Sequence, residues 1–277
     1  NPEKRLLDPA CGSGTFLVLA ISRVKAWAEK EFYPDKKELL RRIATNVIGV
    51  DLNPLAVLAT KANYVLALGE LNRLLPGLNI DIPVYLADSI LVSRKQSLTG
   101  ELEVYLKTTV GDFVFPNEII DKNHLPKALS LIETGMRGNY TKDQFSGLVV
   151  SQLKGLRSTS IDSLTRLFMF MRKLEKEGKN RIWTRLLKNS FAPLLTGKFD
   201  FIVGNPPWIN WENLPEKYRD DTKILWNSYG LLERTEGASL GKVKRDMAML
   251  FTVRCLDRYV SEKGKFAFLI PFTTYKS

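Results

Sequence analysis

The sequence predicts an α/β domain with a mostly parallel sheet, interrupted by a basic and largely helical insertion. Three observations carry this prediction. Short apolar runs alternate with helical stretches toward both ends of the chain. Four of these runs end on a polar residue, Asp8, Asp51, Asp88 or Asn205, and ligands of parallel sheets bind outside the carboxyl ends of the strands. Between residues 94 and 198 the alternation lapses, which divides the chain into residues 1–93, 94–198 and 199–277.

RLLDPACGSGTFLVLAISRVKAWAEKEF opens on a short apolar run that breaks at Asp8-Pro9 and crosses a Gly-Ser-Gly turn. It then continues as an apolar-rich helix as far as Phe32. KKELLRRI forms a second, shorter helix. NVIGVDLN reads as a buried strand ending at Asp51. Asn53 caps the next helix, PLAVLATKANYVLALGELNRLL, with Pro54 at its first position, where a missing N–H does no harm. IPVYLADSI is a third strand, ending near Asp88.

In the middle segment ELEVYLKTTVGDFVF reads as a hairpin, and 117–134, 141–154, 162–177 and 181–190 read as helices. FDFIVGNPPW resumes the strand pattern. KVKRDMAMLFTVRCLDRYVSEKG is a helix followed by a turn, and KFAFLIP is a last buried strand.

With 277 residues, 44% hydrophobic and 26% charged, the chain has the make-up of a soluble globular protein with a sizeable core. No apolar run approaches the roughly 18 residues of a membrane helix, and no signal peptide is visible. Two cysteines, Cys11 and Cys255, form neither a disulfide framework nor a zinc pattern, which fits a reducing cytoplasm. A single histidine, His124, leaves little scope for histidine-based catalysis or metal binding, so no metal site is expected. The chain begins with Asn and opens directly on a motif, which predicts a piece of a larger protein.

The net charge is +11, and 18 Lys/Arg against 10 Asp/Glu lie in residues 94–198, so +8 of it sits there. MRKLEKEGKNRIWTRLLKNS (171–190) concentrates the excess. It fits a phosphate-facing surface, with Arg181, Arg185 and Lys188 as DNA-binding candidates, and it equally fits a solvated helix face.

CGSGTF places Gly12 and Gly14 between a strand and a helix, where the backbone can approach a ligand and free N–H groups favour an anionic group. It departs from the G-x-G-x-x-G fingerprint because Leu stands at position 17. Asp51 is placed to accept hydrogen bonds from both hydroxyls of a ribose. Asp88 is placed to accept from an adenine amino group. Together they describe a ligand containing a nucleoside without identifying it.

DPACGSGTF (8–16), VDLNP (50–54), ADS (87–89) and NPPW (205–208) stand in the order found in adenine-specific DNA amino-methyltransferases, and the chain resembles that family. It is especially similar to the large catalytic subunits and fused enzymes of restriction–modification systems. The likeness covers 1–93 and 199–277 and treats 94–198 as an insertion. It implies a Rossmann-like, S-adenosyl-L-methionine-dependent methyltransferase fold and the transfer of a methyl group to the N6 amino group of adenine in double-stranded DNA.

The resemblance also implies roles. Asp8 and the loop Ala10, Cys11, Gly12, Gly14 and Phe16 would hold the methionine portion of S-adenosyl-L-methionine, with Cys11 packing rather than reacting. Asp51 would take the ribose and Asp88 the adenine amino group, flanked by Leu52 and Ile90. Asn205 and the Pro206 carbonyl would accept the hydrogens of the target amine, Pro207 would stiffen the bend, and Trp208 would stack on a base flipped out of the helix. No strong general base is needed, because the methylated amine is itself acidic.

Methyltransferases of RNA guanine amino groups and of protein glutamine share the NPP-plus-aromatic turn, but Phe16, the basic insertion and WINWENLPEKYR favour the DNA enzymes. A fragment that binds cofactor or DNA without turnover is the other alternative. The family continues past a last strand into a hairpin and a target-recognition domain or specificity subunit. The isolated chain is therefore expected to show weak or no sequence-specific methylation.

Overall fold

The structure, a computed structural model, describes residues 1–78, 80–91, 94–96, 102–108, 111–177, 187, 189–193, 196–231 and 246–271. β1 (Leu6–Asp8) ends at the Asp8-Pro9 break, and α1 (Thr15–Lys30) starts directly after Gly14. α2 (Lys36–Asn46) runs three residues beyond KKELLRRI, started by Asp35, whose side chain accepts from the N–H groups of Lys37 and Glu38. β2 (Val47–Asp51) is buried along its apolar length. α3 (Pro54–Leu68) begins with Asn53 accepting the Leu55 N–H at 2.9 Å. It stops earlier than its apolar pattern suggests, because Gly69 adopts φ 58°. A 3₁₀ turn (Gly69–Leu74) and the short α4 (Leu75–Leu78) then lead to β3 (Val84–Leu86).

Residues 92–196 form one unit, and 1–91 with 197–277 another. The first of these is less purely helical than its sequence implies. β4 (Arg94–Gln96), β5 (Leu102–Thr108) and β6 (Gly111–Pro116) make an antiparallel sheet in the order β4-β5-β6. The hairpin is the expected one, but RKQ carries no apolar signal in the sequence and pairs with β5 antiparallel, Arg94 opposite Val104. α5 (Asn117–Asp121), α6 (Leu125–Arg137), α7 (Lys142–Gln152) and α8 (Ser158–Lys176) follow. Their core includes Phe113, Phe115, Phe145 and Phe168, all fully buried, with the last two stacked at 4.0 Å. Arg181, Arg185 and Lys188, with most of the helix expected over 181–190, lie outside the described residues.

β7 (Phe199–Gly204) returns to the other unit's sheet. After the NPPW segment comes α9 (Glu216–Ser228), a helix whose polar composition hid it in the sequence. α10 (Met247–Tyr259) is started by Asp246 and passes directly into β8 (Val260–Phe268). The expected turn at VSEKG is instead an irregularity inside β8. Phe199 pairs with Val260 and Phe201 with Lys265, so four residues bulge against one. KFAFLIP is also not a buried strand: β8 is an edge strand, and no residue of it is fully buried.

The five-stranded sheet has the order β3-β2-β1-β7-β8 with every pairing parallel. Leu17, Ile21, Leu40, Tyr64 and Val84 belong to one core cluster, and Leu7, Ile48, Phe199, Ile202, Phe251 and Tyr259 to a second. The chain steps outward from β1 to β3 and then resumes on the opposite side of β1. The boundary between β1 and β7 is thus the topological switch point, where α/β sheets open a crevice for ligands. Among the described residues no helix is long and apolar enough to cross a membrane.

Candidate active site

Pro9 ends β1, and the chain turns under the end of β2, with the Cys11 N–H donating to the Val50 carbonyl at 3.0 Å. Gly12 and Gly14 then take φ 54° and 85°, the left-handed region that L side chains rarely occupy. A Cβ on Gly14 would lie 2.7 Å from Thr60 Cγ2. Thr60 is fully buried on α3 and donates its hydroxyl to the Gly12 carbonyl at 2.6 Å, while Asn63 donates to the Ser13 carbonyl at 2.8 Å. α3 therefore braces the glycine loop from outside.

The strand-end carboxylates have different environments. Asp8 is 1% exposed; its Oδ1 accepts the Ala10 N–H at 3.2 Å, while its Oδ2 is buried with no hydrogen bond. Burial raises its pKa to about 7, the Ala10 bond opposes this, and the nearby Asp51 charge adds to it. Asp51 accepts the Gly12 N–H on Oδ2 and the Asn53 N–H on Oδ1, each at 2.8 Å. Asp88 accepts from the Ile90 and Leu91 N–H groups on Oδ1, at 3.0 and 2.9 Å, and from the Tyr218 hydroxyl on Oδ2, at 2.9 Å. Burial raises the Asp88 pKa, and those three bonds pull it back. The buried Cys11 thiol is pushed up to about 12, chiefly by desolvation, which removes it as a nucleophile near neutral pH.

A cavity of about 480 Å³ opens at the switch point. Ala10, Gly12, Asp51, Leu52 and Asp88 line one side of it. Asn205 and Pro207 line it from the end of β7, and Tyr218, Met247 and Phe251 from the two following helices. Its size lies within the range of small-molecule and cofactor sites.

Several expected residues do not line the cavity. Asp8 and Cys11 are buried, Gly14 belongs to the turn, Phe16 is half-buried in the first turn of α1, and Pro206 is buried beside Asn205. Ile90 is fully buried in a core cluster and meets Asp88 through its backbone N–H. Trp208 is 56% exposed outside the cavity, with its indole N–H donating to the Leu269 carbonyl at 3.2 Å. Tyr218 was not identifiable in advance: it contacts Asp88 across 130 residues of sequence, and its only local signal is an aromatic in the WENLPEKYR run. Among the described residues no cluster of three or more His, Cys, Asp or Glu is arranged to hold a metal.

These residues suit a cofactor with a sugar and a purine. Asp51 and Asp88 are acceptors with lone pairs to spare, Leu52 and Ala87 give the same cavity apolar lining, and Asp8 Oδ2 is a buried oxygen that lacks a donor.

Comparison with known proteins points to DNA-modifying methylases. Over 129 residues the chain is 30% identical to the adenine-specific methyltransferase PglX of Streptomyces coelicolor, covering 44% of this chain and 11% of that protein. Over 77 residues it is 32% identical to the modification methylase CviBIII of Paramecium bursaria Chlorella virus NC1A, covering 28% of this chain and 15% of that one. A nuclease-deletion mutant of the type ISP restriction-modification enzyme LlaGI, solved with a DNA substrate mimic, aligns with 96% of this chain and 15% of its own, at TM-score 0.42 and 15% identity. The Eco57I restriction-modification methylase profile matches residues 45–277, a span that includes the Asp51 and Asp88 strand ends, the NPPW turn and both helices of the cavity wall. With five parallel strands and a glycine loop at the switch point, the chain is a member of the Eco57I restriction-modification methylase family.

Proposed function

We propose that this chain transfers a methyl group from S-adenosyl-L-methionine to the exocyclic N6 amino group of adenine in double-stranded DNA, as part of a restriction–modification system. The observation that carries the proposal is the position of Asn205, which lines the same cavity as Asp51 and Asp88. An amide acceptor and a nucleoside site opening into one space suit transfer between two bound molecules. Membership of a methylase family supports the reaction class.

When bound, the cofactor supplies an electrophilic methyl group on a positively charged sulfur. Asp51 has lone pairs beyond those used by Gly12 and Asn53, and these accept the ribose hydroxyls. Asp88 accepts the adenine amino group, while Leu52, 62% exposed at the cavity wall, covers the ring. Ala10 and Gly12 face the methionine end, backed by Asp8, Cys11, Gly14 and Phe16.

At the acceptor end the Asn205 side-chain oxygen and the Pro206 carbonyl take the two hydrogens of the target amine. This draws its lone pair out of conjugation with the ring. Acceptors fixed in advance contribute a few kcal/mol each, and the prolines hold φ so that the turn cannot relax away. Trp208, its ring oriented by the bond to Leu269, receives the base. Sequence reading belongs to a target-recognition domain or a specificity subunit.

The test is radiolabelled methyl transfer to duplex DNA, with N6-methyladenine identified by mass spectrometry. Asn205→Ala is expected to lower the rate by about 100- to 1000-fold while leaving cofactor binding intact. Equal and measurable incorporation by the two proteins would refute the role of Asn205. Transfer to structured RNA or to protein, with none to DNA, would replace the substrate class.

A further inference from the structure

Asp88 is bonded asymmetrically. Its Oδ1 is occupied by the Ile90 and Leu91 N–H groups, but its Oδ2 accepts a single bond, from the Tyr218 hydroxyl at 2.9 Å. A carboxylate offers about four lone-pair sites, so one remains, on Oδ2. Tyr218 decides where it points. Tyr218 itself lines the cavity, and burial together with the Asp88 charge raises its pKa, so the phenol keeps its proton. Because that proton is committed to Asp88, what Tyr218 turns to a ligand is an oxygen lone pair.

We propose that Tyr218 is a specificity-determining residue for the nucleoside end of the cofactor: with Asp88 it forms a two-oxygen acceptor that selects a purine bearing a 6-amino group over one bearing a 6-oxo group. The proposal rests on the cavity being the S-adenosyl-L-methionine site. An amino group brings two hydrogens to two acceptors. A 6-oxo group brings a third oxygen to the pair, and neither partner has a free proton to offer it. The selecting residue comes from the first turn of α9, beyond the NPPW turn; Pro215, which precedes that helix, also lines the cavity. The nucleoside is therefore checked by the segment that carries the acceptor chemistry rather than by the glycine-loop half alone.

The experiment measures calorimetric binding of S-adenosyl-L-homocysteine and of its 6-oxo counterpart, S-inosyl-L-homocysteine, to the 277-residue chain. The unaltered protein is expected to prefer the amino ligand by at least about tenfold, the value of one good hydrogen bond to a charged group. Tyr218→Phe should weaken the amino ligand by about tenfold and reduce the preference to about threefold or less. Asp88→Asn is the second variant. Its amide has a donor to turn toward the 6-oxo oxygen, so the preference should shift toward the inosyl ligand.

An unchanged preference in a folded Tyr218→Phe protein overturns the proposal, as does an Asp88→Asn protein that discriminates as the unaltered one does. An unaltered protein that binds both ligands equally overturns it while leaving the cofactor site standing. An unaltered protein that binds neither overturns the reading of the cavity, and the proposal with it.

Discussion

Replacing Asp8 with Asn tests the electrostatics at the centre of the sheet. Asp8 is 1% exposed, and burial raises its pKa from 3.8 to about 7. A folded-state pKa above the unfolded value means that the folded chain holds its proton more tightly. The associated stability is therefore complete below pH 4 and is lost as the pH rises through 7. The shift of about three units corresponds to about 4 kcal/mol. Asparagine keeps the acceptor for the Ala10 N–H and cannot ionise. The stability of Asp8→Asn relative to the unaltered chain should therefore rise by about 4 kcal/mol between pH 4 and pH 8. Taking the difference between the proteins cancels groups shifted oppositely, such as Glu118, held down near 2 by Lys122 and Ser160 against the cost of its own burial. Urea unfolding at a series of pH values, with equal m values, gives the comparison. A difference that does not vary with pH would show that Asp8 is not a buried, proton-holding group.

Further outcomes follow from the glycine loop and the tryptophan. Gly12→Ala should cost about 1–2 kcal/mol, the strain of a left-handed residue with a side chain, because nothing lies within 4 Å of its added Cβ. Gly14→Ala should cost at least twice as much in the same urea titration, because its Cβ meets a buried, hydrogen-bonded Thr60; equal losses would contradict that packing. Trp208→Ala should weaken methylation-competent DNA binding by roughly 5- to 150-fold, the value of one base stacked on an aromatic ring. Trp208→Phe, which keeps a ring but loses the bond to Leu269, should fall between, and wild-type binding by the alanine variant would remove Trp208 from the base-receiving role.

The parts of the fold legible in the sequence were those set by neighbouring residues. Asn53 and Pro54 announce the start of α3, Asp8-Pro9 closes β1, and NPP ends β7, because caps and breakers act within a few residues. What depends on distant partners was not legible. KFAFLIP has the composition of an interior strand, yet its exposure depends on whether another strand covers it, which no local pattern records. α9 is polar enough to resemble a loop, and it is held by Trp226, buried at 1%, against Trp211. The acids of the candidate site stood out because each ends a strand or lies just past its end. The pairing of Tyr218 with Asp88 did not, because only the crossing of the chain at the switch point brings them together.

The double pairing of β1 has a consequence for biosynthesis. Leu6 and Leu7 pair with Val47 and Ile48 on one side and with Phe201 and Ile202 on the other. The second partnership spans a separation of 195 residues, as the Arg5–Asp200 hydrogen bond records. At roughly 5–20 residues per second, β7 leaves the ribosome about 10 to 40 s after β1. During that interval β1 is the open edge of a half-made sheet. Its three-residue length, Leu6–Asp8, leaves little for another nascent chain to pair with.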